Sequence, residues 1–295
     1  MSERVIKLTL AYDGTDFAGW QRQKDCRTVQ EELEKALGKM HGHAVAVMGA
    51  GRTDSGVHAA GQVAHFVTDI RSIPACRFEL ALNKLMPQDV RVVASEEADQ
   101  DFHARYDARL RHYKYFMYAS GPSLPHRDRY AWHLQKWPDI GRLNRMAACL
   151  HGEIDCTAFA AAKDPSENRF RYLHYAAFHA EGDLLVFEIA ANAFLWRMVR
   201  SIVGTLVGLD RDGAPESAMQ GILESRDRER VGVTAPSRGL FLWNVEYYAR
   251  PTRQGRRLMH PGTADNADTV FSGGATGTGQ PDRLVPGLGW IREDA

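Results

Sequence analysis

The sequence predicts an α+β protein built as two ferredoxin-like halves that share one long mixed, mainly antiparallel sheet. Short runs that alternate apolar and polar residues recur along the chain with helical periodicity between them, and their order in residues 1–107 is β-α-β-β-α-β. Residues 108–250 repeat that plan at larger size. Beyond Arg250 the composition turns to glycine, threonine, proline and charge, so residues 251–295 read as a low-complexity tail.

Ile6, Leu8, Leu10 and Tyr12 alternate with Lys7, Thr9 and Ala11, the period of a half-buried strand that stops at Asp13-Gly14. Thr28-Val29-Gln30-Glu31 reads as a capping box, and behind it Val29, Leu33, Ala36, Leu37 and Met40 share one helical face. Strands are expected over 45–48 and 62–68, on either side of a glycine-rich loop. A helix over 77–85 then stops at Met86-Pro87, and a strand follows over 90–94. The second half opens with a long strand over 110–119 and a helix over 140–150. Next comes a hairpin of strands 172–179 and 184–190, turning at Glu181-Gly182-Asp183. An apolar helix over 194–209 carries Arg197 and Arg200, a shorter helix spans 216–223, and Phe241, Trp243, Val245 and Tyr247 form the last strand. In the tail, Pro286 to Arg292 is a small apolar cluster.

With 295 residues, 44% of them apolar, the chain can bury a sizeable core. No run approaches the roughly 18 uncharged apolar residues of a membrane helix. Met1-Ser2-Glu3-Arg4-Val5-Ile6 leads straight into a strand without a signal-peptide pattern, so a cytoplasmic protein with no membrane partner is expected. Cys26, Cys76, Cys149 and Cys156 lack the paired spacing of a zinc site or a disulfide framework, and no metal is expected. Lysine plus arginine equals aspartate plus glutamate, 37 of each, which argues against coating nucleic acid by bulk charge. Locally the balance differs. Between His103 and Arg129, six cations (Arg105, Arg109, Arg111, Lys114, Arg127, Arg129) face two anions (Asp107, Asp128), with Tyr106, Tyr113, Tyr115, Phe116 and Tyr118 interleaved. Such a mixture suits a single-stranded or flipped nucleotide, and equally a half-buried strand with a solvated face.

The most informative stretch is Gly49-Ala50-Gly51-Arg52-Thr53-Asp54-Ser55-Gly56-Val57-His58-Ala59-Ala60-Gly61, which carries one arginine and one carboxylate on a loop rich in glycine on both sides. Glycine permits tight turns and close approach of backbone to a ligand. A guanidinium two residues away can keep a carboxylate ionised and aimed where water is excluded, although a plain surface turn can carry the same pair. His58 and His65 read as structural.

Further motifs accompany this loop: Tyr12 to Gln23 after the first strand, Phe102-His103-Ala104-Arg105, Arg111-His112-Tyr113-Lys114-Tyr115, Asn192 to Arg200, and Gly239-Leu240-Phe241-Leu242. Taken together, and in this order over roughly Val5 to Tyr248, the chain resembles the bacterial tRNA pseudouridine synthase A family. The resemblance implies the pseudouridine synthase fold and an RNA-modifying isomerase that needs no cofactor. The implied reaction converts uridine to pseudouridine at positions 38, 39 and 40 in the anticodon arm of tRNA, and the implied assembly is a homodimer. Asp54 matches the catalytic aspartate, which adds covalently to sugar or base, or abstracts a proton while the base is detached. Arg52 matches the residue that pairs with that aspartate and holds the nucleotide out of the helix. Tyr113 matches the tyrosine stacked on the base, Arg200 a basic residue near the aspartate, and Leu240 an apolar wall of the uracil pocket. A flipped base must be stabilised by phosphate contacts, for which Arg22, Lys24, Arg27, Arg105, Arg109 and Arg111 are the candidates. Residues after Arg250 fall outside the family core. A non-enzymatic RNA-binding module would leave the Arg52–Asp54 loop unexplained, and a glycosidase would ordinarily need a second carboxylate.

Overall fold

The computed structural model describes residues 3–248 apart from 120 and 163, so the expected tail over 251–295, with its 286–292 cluster, lies outside the described residues. The first half comprises β1 (Arg4–Tyr12), α1 (Val29–His41), β2 (Met48–Gly49), β3 (His58–Thr68), α2 (Phe78–Asn83) and β4 (Val90–Ala98). The second half begins with β5 (Ala108–Tyr118), α3 (Pro125–Asp128), β6 (Trp132–His133), α4 (Ile140–Ala147) and β7 (Gly152–Asp155). It continues through β8 (Phe170–Glu181), β9 (Leu184–Ala191), α5 (Met198–Arg211), α6 (Ala218–Ser225) and β10 (Leu240–Tyr247).

The strands join in one sheet, ordered β4-β1-β3-β10-β5-β9-β8-β7, with β2 against β3 and β6 against β5. Each half therefore lays its four main strands in the order fourth, first, third, second, which is the ferredoxin-like arrangement. The halves meet where β10 runs parallel to β3, pairing Phe241 with His58 and Leu242 with Ala59. This seam brings the loop before β3 beside the start of β10 and, one strand further, beside Tyr113, which pairs with Leu242.

One sheet face buries the main core. Leu8 and Leu10 of β1 pack there with Leu33 and Leu37 of α1, and Ile202, Val203 and Leu206 of α5 belong to the same cluster. On the other face Phe116, Tyr118, Val186 and Phe241 make a smaller cluster. Along β5 the alternation is strict, so Tyr113, Tyr115 and Met117 join the main core while Phe116 and Tyr118 take the opposite side.

Several expected elements change, each for a local reason. The strand over 45–48 contracts to Met48–Gly49, because the Val47 backbone bonds to α1 side chains, its N–H to Glu34 Oε1 and its carbonyl accepting from Gln30 Nε2, at 3.3 and 3.0 Å. Val45 and Val47 are still buried. Thr28 takes the N-cap position of α1, but its hydroxyl makes no capping bond, so no capping box forms. Instead the N–H groups of Val29 and Gln30 donate to the carbonyls of Gly19 and Trp20, at 3.2 and 3.0 Å, and satisfy the helix start from outside. The helix expected from 77 begins as a 3-10 turn, Ala75–Arg77, and ends at Asn83. The hairpin forms as expected, turning at Gly182 with φ +60°.

The Asp13–Trp20 segment is a brace for the glycine-rich loop. Trp20 N–H donates to the Thr53 carbonyl and Gly56 N–H to that of Phe17, at 3.1 and 3.2 Å. A Cβ on Gly14 would lie 2.0 Å from the Val57 carbonyl oxygen, and one on Gly19, whose φ is +102°, would lie 2.5 Å from that of Thr53. Neither position has room for a side chain, since the obstacles are backbone atoms. Gly14→Ala should therefore cost about 1–3 kcal/mol, lower the melting temperature by several degrees and reduce any activity of the loop. An unchanged melting curve would remove the brace from the account.

Candidate active site

The loop between β2 and β3 is fixed along its length. Ala50 N–H donates to the Val63 carbonyl at 2.7 Å and Val57 N–H to that of Asp54 at 3.1 Å. Gln62 Nε2 donates to the Gly51 carbonyl at 2.9 Å. The Thr53 hydroxyl lies 2.8 Å from the phenol oxygen of Tyr12 in a buried hydrogen bond. Of the glycines, Gly56 alone in this loop takes a left-handed φ, +74°, and Gly49 makes room for the Trp20 indole; Gly51 has open space beside it. His58 is fully buried and its Nδ1 accepts from Gly14 N–H at 3.0 Å, while His65 Nδ1 accepts from Ala104 N–H at 3.1 Å, so both histidines are structural.

This framework presents Asp54 with both carboxylate oxygens engaged. Oδ1 accepts from Trp196 Nε1 at 2.9 Å and Oδ2 from Arg200 Nη1 at 3.3 Å. The Arg200 side chain is 14% exposed and that of Asp54 22%, so water screens the pair only in part. Arg200 is aimed by a second bond, Nε to the Ala235 carbonyl at 2.8 Å. The helix expected from 194 begins only at Met198, because Arg197 adopts φ +60°; Phe194 to Arg197 form a loop instead. That break puts Arg200 in the first turn of α5 and leaves Trp196 outside it, beside Asp54.

Tyr113 is buried, with its ring edge-on to Phe194 at 5.1 Å between centroids. Burial pushes its phenol well above the ordinary value; Tyr12 and the Asp54 carboxylate push the same way, against Arg111. It is therefore a neutral phenol at physiological pH, near enough to Asp54 to feel its charge. Leu240 is 5% exposed at the start of β10, in the same core cluster as Tyr113 and paired with Tyr115.

Arg52 stands apart from the expected pairing. The ion pair to Asp54 comes from Arg200, whereas exposed Arg52 donates from Nε to Gln21 Oε1 at 3.0 Å. Arg52 is drawn to Gln21 on the segment before α1, while the Asp54 carboxylate is turned to Trp196 and Arg200 at the start of α5.

The six groove candidates divide. Lys24, Arg105 and Arg109 are exposed, with the Arg109 guanidinium 5.2 Å from the exposed ring of Tyr248. Arg22 is exposed and pairs with Glu34 at 3.0 Å. Arg27 is spent on a two-bonded pair with Asp89, at 2.7 and 2.9 Å, and on the face of Phe17. Arg111 is a structural tie: its guanidinium donates to the carbonyls of Ala108, Asn192, Ala50 and Arg105, at 3.0, 2.6, 2.9 and 2.7 Å, and burial lowers its pKa. Arg111 spends four of its five N–H donors on these carbonyls, and Arg27 is held in its pair with Asp89, so both are committed within the fold, unlike the phosphate role expected of them. Arg111 does bind the 105–108 turn to the Asp54 loop, so Arg105 and the 77% exposed Tyr106 flank that loop.

Trp196 and Gln21 were not singled out from the sequence. Both lie in motifs that were, and an aromatic in an apolar run reads as core until the helix start is known. Among the described residues, His179, Glu181 and Glu188 are the one group spaced to hold a metal. The Lys114 ammonium sits 3.0 Å from Glu181 and 2.6 Å from Glu188 and supplies the cation there. No helix among the described residues is long and apolar enough to cross a membrane.

Comparison with known proteins bears on what this carboxylate does. The chain is 51% identical over 251 residues to tRNA pseudouridine synthase A of Treponema denticola, covering 83% of this chain and 94% of that protein. It is 44% identical over 234 residues to the protein of the same name in Treponema pallidum, with 78% and 84% covered. The Acetivibrio thermocellus protein of that name is 42% identical over 247 residues, with 83% and 100% covered. The family profile described as tRNA pseudouridine synthase matches residues 9–107 and 146–248, which take in the Asp54 loop, α5 and β10. By profile and by relatives alike, the chain belongs to the tRNA pseudouridine synthase family.

Proposed function

We propose that this protein isomerises uridine to pseudouridine at positions 38, 39 and 40 in the anticodon arm of tRNA, with Asp54 as the reacting carboxylate. The observation that carries the proposal is a single carboxylate held by two N–H donors on a rigid loop, in a member of this family. The reaction breaks the C1′–N1 bond, forms C1′–C5, releases the C5 proton and returns a proton to N1. Nothing is oxidised or added, so the chain's own residues suffice.

A stacked base cannot offer C1′ and C5 to one carboxylate, so the uridine must leave the helix first. The donors from Trp196 and Arg200 orient the Asp54 carboxylate, which serves attack on C1′ or C6 and equally proton abstraction from the sugar. Tyr113, buried and neutral, supplies a ring against which a base can lie and a phenol proton to donate. Leu240 continues that wall. Arg52, Lys24, Arg105 and Arg109, all exposed, are the cations for the RNA backbone. Action in the cytoplasm as a homodimer, with tRNA as partner, completes the reading.

Two measurements test it. Transcribed tRNA labelled with tritium at uridine C5 should lose tritium to solvent on incubation with the protein, and retention of label over several tRNAs would contradict the proposal. Arg52→Ala should weaken RNA binding and single-turnover rate, each by about tenfold; wild-type values in both would take Arg52 out of the site.

A further inference from the structure

We infer that Trp196 is a positioning residue for the reaction: its indole N–H fixes the plane of the Asp54 carboxylate, so that the oxygen facing the nucleotide is presented in one orientation. The inference rests on the assignment of Asp54 as the reacting group. Its starting point is the 2.9 Å bond from Trp196 Nε1 to Oδ1, on the opposite oxygen from the one Arg200 holds. One donor alone leaves a carboxylate free to turn about its Cβ–Cγ bond. Two donors on different oxygens stop that rotation.

The surroundings show that the indole is held there. Trp196 N–H donates to Oδ2 of Asp164, a residue only 8% exposed. Asp164 also accepts from Ser166 N–H at 2.8 Å and pairs with Arg169 at 3.4 Å. Burial works against the charged form of Asp164, but these N–H bonds and Arg169 hold its carboxyl below the usual range, so it stays an anion able to pin the Trp196 backbone. On the other side the Arg197 guanidinium lies 4.9 Å from the centre of the indole ring. Arg197 holds φ +60° without being glycine, a conformation that costs on the order of 1 kcal/mol and concentrates at functional sites. Here it breaks the helix one residue after Trp196.

The chemistry favours tryptophan in this place. An indole N–H donates and cannot accept, and it does not titrate near neutral pH. It orients Asp54 without bringing a second full positive charge, which would weaken the carboxylate as nucleophile or base, and without competing for the proton in transfer. Trp196 is also 39% exposed, so its bond to Asp54 borders the space that an incoming nucleotide enters.

The test compares Trp196→Phe, which keeps a ring and loses the N–H, with Trp196→His, which restores a ring N–H donor. Single-turnover rates at saturating protein should fall about 10- to 100-fold in Trp196→Phe, as for loss of a bond to a charged group. Its tRNA dissociation constant should stay within about threefold, and Trp196→His should recover part of the rate at about pH 8, where a free imidazole is neutral and still carries one N–H. A Trp196→Phe rate equal to or above wild type would overturn the inference, because the indole would then be idle or a placeholder that must leave. A rise in dissociation constant matching the loss of rate would overturn it too, making Trp196 an RNA contact. A second readout needs no turnover. Of the six indole N–H resonances expected from six tryptophans, the one missing in Trp196→Phe should shift in Asp54→Asn, and an unmoved resonance would contradict the contact itself. Wild-type protein that forms no pseudouridine would sink the Asp54 assignment; turnover that survives Trp196→Phe intact would sink only this inference.

Discussion

Asp54→Asn should abolish pseudouridine formation, by more than about a thousandfold in single-turnover rate, while tRNA binding stays within a few fold. The substitution preserves shape. Asparagine's single carbonyl oxygen can still accept from one of Trp196 and Arg200, and Val57 N–H bonds to the residue 54 backbone, not the side chain, so the loop keeps its form. What disappears is the anion, which either route requires. The proposed reading assigns RNA binding to the exposed cations Arg52, Lys24, Arg105 and Arg109 and not to the residue 54 side chain, so binding should survive. Loss of binding as large as the loss of turnover, measured by gel shift alongside tritium release, would show that Asp54 supports RNA association and not the reaction.

Arg200→Ala should lower the rate by about a hundredfold and also lower the melting temperature. Arg200 is one of two donors on Asp54, and its removal leaves a three-quarters buried carboxylate without its counter-charge. The cost is split between folding and reaction, because the same guanidinium ties the start of α5 to the Ala235 carbonyl. Arg200→Lys keeps the charge but cannot reach both partners with a fixed fork, and should recover only part of the rate. Full activity in Arg200→Ala would mean that Trp196 alone suffices to hold Asp54.

The ferredoxin-like plan was legible because its signals are local and periodic. The alternation of Ile6, Leu8, Leu10 and Tyr12, the helical face of α1 and the Gly182 turn all follow from nearest neighbours in sequence. The seam was not legible: the parallel pairing of β10 with β3 is a contact between residues some 180 positions apart, and it sets the Asp54 loop beside the start of β10. At α1 the start is where the sequence puts it, but its first N–H groups bond to the carbonyls of Gly19 and Trp20, a contact ten residues back that replaces the expected capping box. At the site, Asp54 and Arg200 came from motif resemblance and are brought together. Arg52 was expected to pair with Asp54 and instead donates to Gln21, a partner 31 positions away that the sequence does not reveal. Trp196 escaped notice because an apolar run of helical period masks a break that depends on the φ of one arginine. Arg111 looked like an RNA contact because sequence gives charge but not partners, and its partners are four carbonyls.

The most direct test of the central claim is carbodiimide mapping of pseudouridine by primer extension on unmodified tRNA transcripts, comparing wild type with Asp54→Asn. New stops at positions 38, 39 and 40 are expected with wild type alone. No stops with wild type on several tRNAs that it binds, or the same stops with Asp54→Asn, would contradict that claim.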